Sequence, residues 1–99
     1  MKAEFETINL KLNDYYILDL VGMGTSGYSW VYSLDNENII KISHRYIVPP
    51  DPKPGSTGTE RFIIIGAMQG SCTIEFKQIR SWEKNLPPLS IRKFLVNVK

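Results

Sequence analysis

The sequence has a single cysteine, Cys72, and a single histidine, His44. One thiol forms no internal disulfide, and the two residues together fall short of a zinc constellation, so neither metal nor cofactor is expected. Charge of one sign is also missing. Twelve Lys and Arg against ten Asp and Glu leave a net charge of +2, too small to argue for nucleic acid, and no basic cluster with interleaved aromatics occurs. Long apolar runs are absent too: none approaches the ~18 residues of a membrane span. No window shows sustained helical spacing with caps at both ends. The first residues, Met1-Lys2-Ala3-Glu4-Phe5, lack an apolar h-region. A chain without a signal peptide is therefore expected, either cytoplasmic or the mature form of a secreted or vesicular protein.

Catalytic groups are equally sparse. His44 precedes Arg45 and lies near no obvious nucleophile, which reads as a surface or strand-end position. The carboxylates are dispersed, and no pair stands out as a general acid and base. Cys72 alternates with polar residues in Cys72-Thr73-Ile74-Glu75-Phe76 and should face the core as an inert thiol. The expectation is a protein that is not an enzyme.

What is present is strand signal. Thr7-Ile8-Asn9-Leu10-Lys11-Leu12 alternates cleanly, placing Ile8, Leu10 and Leu12 inward, and Asn13-Asp14 makes a turn. Further strands are read at residues 15–21, 29–34, 39–43 extending to 48, 60–65, 72–80 and 91–98, the last alternating through Phe94, Val96 and Val98. Seven or eight short strands at this spacing predict one domain over residues 1–99. The fold class is all-β, an immunoglobulin-like antiparallel sandwich with Greek-key connections.

Three connections are unusual: residues 22–27, 49–59 and 81–89. The first, Gly22-Met23-Gly24-Thr25-Ser26-Gly27, matches the G-x-G-x-x-G pattern of nucleotide sites. Tyr28-Ser29-Trp30-Val31-Tyr32 follows it, however, and is β-prone where a dinucleotide fold opens a helix. A kinase glycine loop sits between strands, but its H-R-D and D-F-G partners are missing. Read alone, the stretch is as compatible with a plain strand connector. Tyr28 and Trp30 read as packing at the loop base, and Trp82 as an exposed indole suited to binding.

The loops resemble those of the chagasin family, inhibitors of papain-like cysteine peptidases. Met23-Gly24-Thr25-Ser26-Gly27-Tyr28-Ser29-Trp30 stands where that family has N-P-T-T-G-[FY]-x-W. Gly55-Ser56-Thr57-Gly58-Thr59 stands at its second loop, G-x-G-G, and Arg80-Ser81-Trp82 at its R-P-W. Met23 and Gly24 replace Asn-Pro, Thr57 replaces a glycine, and Ser81 replaces proline. The resemblance implies a sandwich whose three loops meet at one end and occlude a papain-like or cathepsin L/B-like cleft. The inhibitor would be monomeric and form a reversible 1:1 complex. Met23, Gly24, Thr25, Ser26, Gly27 and Tyr28 would make up the first contact loop. Gly55, Ser56, Thr57, Gly58 and Thr59 would make the second, and Arg80, Ser81 and Trp82 the third. The competing expectation is a generic immunoglobulin-like adhesion module, which would turn Trp82 inward or scatter the loops over both ends.

Overall fold

A computed structural model describes residues 5–22, 27–48, 58–83 and 85–99. Among these residues seven strands run in the order β1 (Phe5–Leu10), β2 (Tyr15–Val21), β3 (Ser29–Leu34), β4 (Ile40–Ile47), β5 (Thr59–Gly66), β6 (Gly70–Ile79) and β7 (Ser90–Val98). They form two sheets, one of four strands ordered β1-β7-β6-β3 and one of three ordered β2-β5-β4.

Period-two alternation builds each strand and selects its inward face. Leu18 and Leu20 of β2, Phe62 and Ile64 of β5, and Ile40 of β4 are buried from one sheet. Trp30, Cys72, Ile74, Phe76, Phe94, Val96 and Val98 are buried from the other. The sheets meet through rings: Phe62 of β5 and Phe76 of β6 lie 4.8 Å apart edge to face, and Phe76 meets Phe94 at 5.6 Å. Such tilted pairs set edge hydrogens against the partner's π face and add to the burial of apolar area. Cys72 is buried as expected, and burial pushes its thiol pKa up, which keeps it protonated and unreactive near neutral pH.

Two details depart from the sequence reading. The first strand covers Phe5–Leu10, and Leu12 is 43% exposed where an inward position is expected. The chain crosses there from one sheet to the other. Asp14 N–H donates to the Lys11 carbonyl at 3.0 Å, closing a turn in which Asn13 adopts a φ of 68°. Asparagine tolerates that left-handed conformation, and the turn carries Leu12 out of the alternation. The other departure is pairing: β1 lies parallel to β7, with Ile8 beside Val96. Every other ladder among the described residues is antiparallel.

Phe76→Ala is expected to cost about 3–5 kcal/mol, read as a shift of the urea midpoint, because it empties the centre of the ring stack. A second expectation concerns pH. The Asp35 carboxylate accepts the Thr73 N–H at 2.8 Å, and that hydrogen bond holds its carboxyl below the usual carboxylate range. A depressed folded-state pKa contributes stability that is complete above the unfolded value. That contribution is lost as pH falls through the folded value. Asp35→Asn should therefore flatten the acid limb of a stability–pH profile and leave the slope near neutrality unchanged.

Candidate functional site

The ladders bring the loop roots to one pole. Val21 at the end of β2 and Ile47 at the end of β4 both pair with Thr59 at the start of β5. In the other sheet Ser29 pairs with Ile79, and Gln78 with Ser90. Connections 22–28, 48–58 and 80–89 therefore all leave the sandwich at strand ends facing the same way. Hydrogen bonds between the sheets join the two sets of ends. Trp30 Nε1–H donates to the Val21 carbonyl at 2.9 Å, and Gln78 Nε2–H donates to the same oxygen at 3.2 Å.

Glu60 completes this bracket. It is 2% exposed, and its carboxyl oxygens accept the Trp30 backbone N–H at 3.1 and 3.2 Å. Trp30 lies on an edge strand, where a backbone donor without a neighbouring strand needs another acceptor. His44 Nε2 lies 3.0 Å from the same carboxyl, and its ring stacks on Phe62 with centroids 4.4 Å apart. His44 is exposed, as expected of a surface position, and it is also a second partner for the buried acid. Sequence reading passed over Glu60, Gln78 and this use of His44. Strand parity is the signal that finds them: Glu60 shares a face with Phe62 and Ile64, Gln78 with Ile74 and Phe76, and His44 with Ile40 and Ile42.

The first and second loops touch at their roots. Gly22 N–H donates to the Gly58 carbonyl at 2.9 Å. Tyr46 lies across both: a Cβ added to Gly22 would come within 2.9 Å of its ring, and one added to Gly58 would strike its hydroxyl at 2.5 Å. The first and third loops touch at Gly27, which has a φ of 81°. A Cβ there would overlap the six-membered ring of the Trp82 indole. Glycine is thus required twice over, for its conformation and for the ring that covers it.

Trp82 is nonetheless 66% exposed. One edge of the ring rests on Gly27 and most of it faces solvent, on a third loop that is braced from below. Arg80 sits 4.3 Å over the Tyr28 ring and pairs with Glu83 at 3.2 Å. Glu83 N–H closes a turn on the Arg80 carbonyl at 3.0 Å, and Leu89 N–H returns to the Gln78 carbonyl at 2.8 Å. A cleft of about 240 Å³ between Tyr28, Ile79, Arg80, Glu83, Leu86 and Pro87 lies beside this brace. Val21, Val48, Leu86 and Leu89 add exposed apolar surface at or next to the same roots.

Of the residues expected to make contact, Gly27, Tyr28, Gly58, Thr59, Arg80, Ser81 and Trp82 stand at this pole. Met23, Gly24, Thr25, Ser26, Gly55, Ser56 and Thr57 lie outside the described residues.

A sandwich that gathers three braced loops and an open indole at one pole has the form of a protein-binding module. Comparison with known families gives the class: residues 9–98 match the model of the chagasin family peptidase inhibitors, I42. The chain belongs to the chagasin family of peptidase inhibitors, and membership makes it an inhibitor of cysteine peptidases. Among solved structures it is similar to the cysteine protease inhibitor EhICP2 from Entamoeba histolytica, at 21% identity and a TM-score of 0.83 over 94% of this chain and 86% of that one. It is also similar to amebosin, at 26% identity and a TM-score of 0.72 over 98% and 96% of the two chains. A third likeness is to PbICP-C, solved in complex with falcipain-2, at 20% identity and a TM-score of 0.61 over 99% and 88%. No curated protein matches the sequence.

Glu60→Leu is expected to cost about 1–3 kcal/mol in a denaturant titration, since it strands the Trp30 N–H and removes the partner of His44. A variant as stable as the parent would show that the bracket contributes nothing to the fold.

Proposed function

We propose that this chain inhibits papain-like cysteine peptidases reversibly and without turnover, filling the active-site cleft with its three polar-end loops. The observation that carries the reading is the Trp82 indole, seated on Gly27 of the first loop and still 66% exposed. A large exposed aromatic held in a fixed place is the usual make-up of an interface anchor. The relative PbICP-C was solved bound to falcipain-2, which supports a peptidase as the partner.

Each loop has a part suited to its chemistry. A papain-like cleft holds a thiolate activated by histidine, and a blocker must fill it without offering a correctly placed scissile carbonyl. Thr25, Ser26 and Gly27 are small enough for a narrow wedge. Residues 55–59 suit an extended course along the cleft wall with main-chain hydrogen bonds, as in strand addition. Trp82 would lie on an apolar rim, with Arg80 bracing the loop beneath through Tyr28 and Glu83. Met23 and Gly24, in place of Asn-Pro, remove a φ restraint from the wedge and raise the cost of ordering it.

Titration of papain with the purified chain tests the reading. Activity should fall to an endpoint at one chain per enzyme, return on dilution, and leave the chain uncut. Full activity in the presence of a folded sample would end the proposal. Trp82→Ala is expected to raise the inhibition constant about 30-fold or more, equivalent to ~2 kcal/mol of binding, with stability changed by no more than about 0.5 kcal/mol. A matching loss of stability would make Trp82 a structural residue instead.

A further inference from the structure

Beside Glu60, a second polar side chain is buried among the described residues. Gln78 is 3% exposed on a face otherwise made by Cys72, Ile74 and Phe76, where an apolar side chain would avoid the cost of burying an amide. Its Nε2–H donates to the Val21 carbonyl of the opposite sheet at 3.2 Å, beside the Trp30 Nε1–H donor at 2.9 Å. Trp30 and Gln78 are register partners on neighbouring strands, so the two donors stand side by side and fix one oxygen from two directions. That oxygen belongs to the last residue of β2, immediately before the first loop.

A peptide lying in a thiol peptidase is cut when a carbonyl carbon meets the thiolate with its oxygen in the oxyanion donors. A misplacement of ~1 Å can slow such a step about a hundredfold. The first loop carries no proline, and both of its roots are held from the sandwich. Gly27 is held under the indole of Trp82, and Val21 is held by the paired donors. We propose that Gln78 is a positioning residue: together with Trp30 Nε1 it fixes the entry of the first loop so that the bound loop resists cleavage. This rests on the inhibitory function proposed above.

Gln78→Met keeps the length and most of the volume of the side chain and removes the donor. Parent and variant are each incubated with papain, residual activity is followed, and the chain is examined by intact-mass spectrometry over hours. The parent should inhibit and stay whole. Gln78→Met should melt as a folded domain, inhibit with a constant raised about tenfold, and be converted to a form cut at one bond within residues 22–28. Trp82→Ala should weaken inhibition without that cut. Trp30→Phe, which removes the neighbouring donor, should behave like Gln78→Met and decides the matter if Gln78→Met fails to fold. Unchanged inhibition and an intact Gln78→Met chain would overturn the proposal, as would cuts scattered through the strands, the mark of general loosening. A parent that fails to inhibit would instead remove the functional reading itself.

Discussion

The position of Trp30 sets both the join between the sheets and the geometry of the loop pole. Its ring is buried in the core, yet both of its N–H groups are directed across the sandwich. The backbone donor reaches Glu60 of β5, and the indole donor reaches the Val21 carbonyl of β2. Apolar contact between two sheets is non-directional and by itself tolerates sliding of one sheet over the other. Hydrogen bonds are directional. Three donors from the four-stranded sheet on two acceptors of the other therefore fix register at this end, where the loops depart. At the opposite end backbone bonds serve instead, with Leu12 N–H donating to the Lys99 carbonyl at 3.0 Å and Asn13 N–H to the Gly66 carbonyl at 2.9 Å.

The acid at the centre of this arrangement is tolerable because it is surrounded by donors. Glu60 is buried to 2% exposure, which would be costly for an unpartnered carboxyl. The Trp30 N–H and the His44 imidazole supply partners from β3 and β4, so one side chain of β5 contacts the edge strands of both sheets. His44 is in turn held flat by Phe62, a member of the ring stack. The polar bracket and the aromatic core thus share a residue, and strain at one is felt by the other.

Much of this was legible in the sequence, because alternation of Ile, Leu, Val and Phe with polar residues marks strands independently of their partners. The chain segments of β2 and β3 and the burial of Phe94, Val96 and Val98 follow from that pattern alone. The three loop motifs carried the family, since their order and spacing survive the replacement of individual residues. Pairing was harder. The parallel contact of β1 with β7 joins residues 88 positions apart, such as Ile8 and Val96, and no local pattern encodes it. Leu12 misled because alternation runs on past Leu10, where β1 ends, into the turn closed between Lys11 and Asp14. Glu60 and Gln78 were hidden for a different reason. Both are polar residues that composition assigns to the surface, although parity places them on the buried face.

The same observations show what holds the loop roots in a chain without the proline that the family motif carries in the first loop. Proline restrains a loop from within, by narrowing φ before binding. This chain restrains its loops from their ends. Val21 is held by Trp30 and Gln78, Gly22 and Gly58 are joined by a hydrogen bond under Tyr46, and Gly27 lies beneath Trp82. Side chains already ordered by core packing lose little further freedom when they hold a root. Anchoring at the roots therefore uses order that the sandwich already has. The roots of the first loop are thus set by the core residues Trp30, Glu60 and Gln78 as much as by the loop's own residues Gly22 and Gly27.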